Sequence, residues 1–130
     1  MSKIVELTKK AASFFIATND GDQPKVRPFG AIEEIDGKIY LVTGNTKNFF
    51  KQISKNPKIE YVALFDDGSW LRVTGTLAVK DCGKIRAKYL ELRPTLQKIY
   101  KADDGVFTVL ELKDPVAYLY GANGAEKIED

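Results

Sequence analysis

Short apolar runs separated by turn residues succeed one another along the chain. Ile4, Leu7 and Ala11 recur at helical spacing after Ser2, which predicts a short first helix with a serine N-cap. Residues 14–18 are apolar and β-branched and predict a strand, ended by the turn signal Asn19-Asp20-Gly21. Residues 25–34 predict a second strand, in which Pro28 marks an edge or a bulge. Asp36-Gly37 is a two-residue hairpin signal leading into a strand over 38–43.

Residues 59–65 place Ile59, Tyr61, Ala63 and Phe65 on one face and Val62 and Leu64 on the other, so both faces are expected to be buried. Asp66-Asp67-Gly68 turns the chain into a strand over 70–80, with Gly75 a bulge or a point of close approach. Cys82-Gly83 breaks that strand. Residues 85–92 have helical spacing, and Pro94 interrupts it and opens a second short helix over 95–100. Strands over 106–112 and 116–120 are expected around a turn at Asp114-Pro115, and residues 121–130 are expected to be loosely held. About seven strands joined by hairpin-type turns fit an antiparallel β-barrel with a few short helices. The length suits a single domain, 1–130.

One stretch differs from the rest. Thr43-Gly44-Asn45-Thr46-Lys47-Asn48 joins the strand over 38–43 to a short helical pattern ending at Asn56-Pro57. Phe49 and Ile53 share one face of that helix, and Lys47 and Lys51 fall roughly opposite. Thr46 or Asn45 is positioned to cap it. A helix start carrying hydroxyl, amide and ammonium groups suits a phosphate, because it adds charge to free N–H donors. The residues alone leave open an ordinary amphipathic helix with a solvated lysine face.

Composition narrows the chemistry. Twenty basic and eighteen acidic residues nearly balance, which argues against nucleic acid as a partner. No apolar run has the length of a membrane span and no signal-peptide pattern opens the chain, so a cytoplasmic protein is expected. The chain has no histidine, which removes His-based triads and the usual zinc sites; no metal site is expected. A single cysteine, Cys82, has no second thiol or imidazole to activate it. Chemistry is therefore expected from a bound cofactor or the substrate. Arg27 and Arg72 each sit mid-strand between apolar residues and need a partner, either an acidic side chain or an anionic ligand shared with Lys47. Trp70, the only tryptophan, is either a core residue or an aromatic wall.

Three blocks in order, FFIATNDGDQPKVRPFGAI, DGKIYLVTGNTKNFFKQISKNPKIEYVAL and WLRVTGTLAV, resemble the pyridoxamine 5′-phosphate oxidase-like proteins. The resemblance implies a flavin-binding split β-barrel that forms a homodimer, with FMN in a cleft between the subunits. It implies that Val26, Arg27 and Pro28 line the flavin and that Thr43, Asn45, Lys47 and Asn48 hold its phosphate end. Trp70 and Arg72 match a strand that reaches the cofactor from the other subunit. An FMN-dependent oxidoreductase acting on a small molecule is implied; a flavin-binding or storage protein on the same fold is the alternative. The chain lacks the C-terminal segment that holds the substrate in true pyridoxamine-phosphate oxidases. It also lacks the histidine that nitroimidazole-resistance relatives carry near the flavin.

Overall fold

The structure, a computed structural model, describes residues 1–80 and 82–130. Eight strands form one antiparallel sheet: β1 (Phe14–Asp20), β2 (Gln23–Phe29), β3 (Glu33–Ile35), β4 (Lys38–Gly44), β5 (Lys58–Leu64), β6 (Trp70–Val79), β7 (Phe107–Gly121) and β8 (Gly124–Ile128). Three helices accompany them, α1 (Lys3–Thr8), α2 (Asn48–Lys55) and α3 (Gly83–Leu92), with a 3-10 turn at Pro94–Lys98. The sheet runs β2-β1-β5-β6-β7-β4-β3, and β8 pairs with β7 beside this path. The mainly β, split-barrel expectation holds.

Alternation along the strands fixes two faces. Phe14, Ile16, Tyr61, Ala63, Leu71 and Val73 lie on the inner face and are almost fully buried. They pack with Ile4 and Val5 of α1 and with Phe49 and Ile53 of α2 in one core cluster. A second cluster, with Tyr40, Val42, Tyr89, Leu90, Tyr100, Phe107 and Val109, fills the space under α3 and the 3-10 turn. Ser2 caps α1, its Oγ accepting from the Val5 N–H at 3.1 Å.

Several expectations need correction. Residues 25–34 are two strands, because β2 ends at Phe29 and β3 begins at Glu33 and pairs with β4 instead of β1. Pro28 sits on β2, which ends the sheet path, so its missing N–H removes no ladder bond with a further strand. The two closing strands are one fifteen-residue strand, β7. At Asp114, with φ 51°, the pairing to β6 shifts by one residue, so Thr74 faces Val116 and Thr76 faces Lys113. A bulge, not a turn, absorbs Asp114-Pro115. Gly75 lies opposite it, and a Cβ there would stand 2.7 Å from Leu112 Cδ1 and 3.0 Å from the Lys113 carbonyl.

The C-terminal stretch is not loose. Gly121 pairs with Gly124 across a two-residue turn, and β8 lies along β7. The Asp130 carboxylate accepts from Ser2 Oγ at 2.6 Å and from the Ile4 N–H at 3.1 Å. On β5 only the face of Ile59, Tyr61 and Ala63 is buried; Leu64 is 59 % exposed. No element among the described residues covers the other face. Gly75→Val should destabilise the fold by about 1–3 kcal/mol through overpacking against Leu112 and the β7 backbone. Urea unfolding checks this, and an unchanged midpoint would mean the two strands separate freely there.

Candidate cofactor site

α2 is held by three buried positions, Phe49, Gln52 and Ile53. The helix start is open. Lys47 is the N-cap residue, in extended conformation, and no side chain caps the helix, so neither Thr46 nor Asn45 does so. The Asn45 side-chain amide instead donates to the Gly105 carbonyl at 2.9 Å, and its backbone N–H donates to the Val106 carbonyl at 3.0 Å. The Asn48, Phe49 and Phe50 N–H groups find no acceptor among the described residues. Lys47 is exposed and makes no ion pair among the described residues. These N–H groups and Lys47 form an end of positive potential open to an anion.

Arg27 is tied to the same helix. Its Nη1 donates to Thr18 Oγ1 at 2.7 Å and to the Ile16 carbonyl at 3.1 Å, and its Nη2 donates to Gln52 Oε1 at 2.8 Å. The Thr18 hydroxyl donates to Gln52 Oε1 at 2.6 Å, closing a three-residue ring of bonds. The guanidinium also lies 5.1 Å from the Phe49 ring centroid. Partial burial lowers the Arg27 pKa from its ordinary value, and the group remains a cation. Of the two alternatives for Arg27, no acidic side chain pairs with it among the described residues, and neutral acceptors hold it.

Arg72 stands on the outer face. It is paired in register with Val62, which in turn faces Phe15. Its Nε is 3.6 Å from Glu60 Oε2, a charge contact too long for a hydrogen bond, and this buried atom has no hydrogen-bond partner. Its guanidinium lies 5.0 Å from the Tyr120 ring centroid, and Trp70 stacks on Tyr120 at 5.3 Å with the planes 4° apart. Val26 and Pro28 are exposed neighbours on that face. Thr43 is buried, with its hydroxyl on the Gly44 carbonyl at 3.4 Å. The structure thus gathers Arg27, Asn45, Lys47 and Asn48 around α2 and its entry. Within one chain it does not bring Trp70 and Arg72 to them.

Two cavities flank α2. One of about 630 Å³ is lined by Asn19, Asp20, Asn48, Lys51, Gln52 and Lys55, among others. The second, of about 520 Å³, includes Asn45, Phe50, Lys80, Arg86 and Thr108. Both have the size of small-molecule sites, roughly 300–1,000 Å³. Thr18 and Gln52 carry no motif that marks them in the sequence. The one signal is Gln52's place as a polar residue three positions from Phe49 on the apolar face of α2. Cys82 is partly exposed at the start of α3, where the Ile85 and Lys84 N–H groups lower its thiol pKa.

The family model of pyridoxamine 5′-phosphate oxidase matches residues 1–114. The chain belongs to the pyridoxamine 5′-phosphate oxidase family. Its fold matches that of a NimC/NimA family protein from Clostridium acetobutylicum at 40 % identity with a TM-score of 0.94, over 97 % of this chain and 89 % of that one. A pyridoxamine 5′-phosphate oxidase-related, FMN-binding protein from Nostoc punctiforme matches at 13 % identity with a TM-score of 0.60, over 92 % and 87 % of the two chains. A heme-binding protein from Mycobacterium smegmatis matches at 11 % identity with a TM-score of 0.73, over 92 % of this chain and 53 % of that one. The last two show the shared fold. No curated protein sequence matches the chain.

In this family member Arg27 is a structural as well as a candidate cofactor residue. Arg27→Ala should cost about 1.5–3 kcal/mol of stability, because Gln52 and Thr18 lose a charged donor. Arg27→Lys should restore less than half of it, since an ammonium lacks the planar fork whose two nitrogens engage Thr18 and Gln52 separately. Urea unfolding of the two variants checks this; full recovery in the lysine variant would show that charge alone matters.

Proposed function

We propose that the protein is an FMN-binding oxidoreductase that works as a cytoplasmic homodimer on a small-molecule substrate or electron donor. The observation that carries this reading is the uncapped start of α2, with Lys47 exposed at its N-cap. A phosphate there would accept from the free Asn48–Phe50 N–H groups and face the Lys47 ammonium. The donor set fits a flavin phosphate, and the half-exposed Arg72 side chain offers a further cation on the outer face. Bound FMN would supply hydride or electron transfer. Thr43 and Asn45 shape the entry to the helix. Arg27, fixed by Thr18 and Gln52, holds α2 against β1 and β2 and keeps positive charge beside the site.

A dimer explains the outer face. Phe15, Val26, Leu64, Val116 and Tyr118 leave it apolar and exposed in the single chain. Such a contiguous patch marks an interface. A two-fold partner laid across it would carry Trp70 and Arg72 toward the Lys47 side of its mate, completing a site that one chain leaves in halves. No helix among the described residues is long and apolar enough to cross a membrane. The lack of histidine favours the second reading, a flavin-binding or storage protein, since no imidazole can move a proton at the cofactor. Reduction of the bound flavin by NADH or NADPH, with passage to an acceptor, separates the two readings.

Lys47→Ala should weaken FMN binding roughly a hundredfold and leave riboflavin, which lacks the phosphate, nearly unchanged. Salt should weaken FMN binding less in the variant than in the native protein. Flavin fluorescence titration reads both. Equal losses for the two ligands would assign Lys47 to the fold or the ring, and the phosphate elsewhere. Light scattering at micromolar concentration should give a dimer; a flavin-loaded monomer would overturn the two-chain site.

A further inference from the structure

The cavity between the β1–β2 turn and α2 has a feature that FMN binding at the helix start does not use. Gln52 lines it and is only 9 % exposed. Its Oε1 already accepts from Arg27 and from Thr18. Arginine can only donate, so the oxygen must face it, and the Gln52 amide nitrogen is turned away. Thr18 and Arg27 do not line the cavity, whereas Gln52 does. That nitrogen makes no hydrogen bond to any described residue. An amide donor on a side chain only 9 % exposed, fixed in orientation by a charged network, is thus left without an acceptor among the described residues beside the cavity.

The other walls say what that is. Lys51 and Lys55 lie one helical turn apart on α2, both line the cavity, and neither pairs with a carboxylate among the described residues. Like charges at this spacing repel and weaken an isolated helix. α2 itself carries no acidic residue to offset them. Asn19, Asn48 and Asn56 add amides, and Asp20 is the single carboxylate on the wall. A donor-rich cavity of about 630 Å³ with two unpaired ammonium groups is matched to a compact, multiply charged anion.

We propose that this cavity binds the phosphate group of a second small molecule, with Gln52 Nε2 as the oriented amide donor and Lys51 and Lys55 as the charges. The site is separate from the helix start at Lys47, shares only Asn48 with it, and does not depend on FMN being the cofactor.

Isothermal titration calorimetry with inorganic phosphate and with pyrophosphate tests it, each in the absence and presence of saturating FMN. The native protein should bind pyrophosphate with or without FMN. Gln52→Glu keeps the acceptor for Arg27 and Thr18 and replaces the donor by a carboxylate oxygen. It should weaken pyrophosphate binding roughly tenfold or more without lowering the urea midpoint. Lys51→Ala with Lys55→Ala, both on the exposed side of the helix, should weaken it by a similar factor while FMN affinity changes less than twofold. Lys47→Ala should leave pyrophosphate binding intact. The proposal is overturned if pyrophosphate does not bind the native protein, if FMN displaces it, or if the lysine pair can be removed without effect. Failure of FMN to bind at all would sink the flavin reading and leave the pyrophosphate result standing on its own.

Discussion

The alternation of side chains across one antiparallel sheet is the constraint on which the rest depends. In the β2-β1-β5-β6 half of that sheet, Arg27 shares the inner face with Ile16, Tyr61 and Val73. Arg72 shares the outer face with Val62, Phe15 and Pro28. A one-residue slip would exchange the faces and expose the core, so this assignment is firmly fixed. Two arginines that both invite an anionic partner are therefore held apart by the hydrogen-bonded ladder itself. In the proposed dimer a single ligand would meet the two on different chains. The apolar, exposed outer face supports that proposal.

The inner face adds a second consequence. α2 is too short to be stable alone and depends on tertiary contacts. Phe49 and Ile53 enter the main core, and Gln52 binds the Arg27–Thr18 pair. The helix is therefore anchored through the face of Phe49, Gln52 and Ile53, and the backbone N–H groups of its first turn are left without partners among the described residues. Capping by Asn45 or Thr46 would have occupied those N–H groups. The Asn45 amide goes instead to Gly105, which ties the loop before the helix to the segment before β7. The open helix start and the two flanking cavities result from where these polar groups find partners.

Much of this was legible in the sequence where local chemistry decides. Ser2 caps α1, Asp36-Gly37 makes the β3–β4 hairpin, and Gly75 is a close-approach point, as their residue types require. Long-range pairing overrides local composition elsewhere. Asp114-Pro115 has the composition of a turn, but continuous pairing of β7 with β6 on both sides of it makes it a bulge. Gly121 and Gly124 bound the two-residue turn Ala122-Asn123 within a polar stretch whose composition hides the hairpin, and β8 follows it. The alternating apolar residues of β5 predict burial on both faces. Burial of the second face requires a surface that the described residues do not supply. Of the candidate site, the α2 entry was readable from Thr43, Asn45, Lys47 and Asn48. The supporting roles of Thr18 and Gln52 were not, because they arise only when β1, β2 and α2 meet.

The most direct measurement is FMN stoichiometry in mixed dimers of Lys47→Ala and Arg72→Ala chains, co-expressed with different tags and purified as the heterodimer. Each variant alone should bind FMN weakly at both sites. If the site is built from two chains, the heterodimer gathers both substitutions into one site and leaves the other native. It should then bind one FMN per dimer with native affinity. If Lys47 and Arg72 serve sites within a single chain, every site in the heterodimer carries one substitution. No native-affinity binding would return, and the two-chain account would be contradicted.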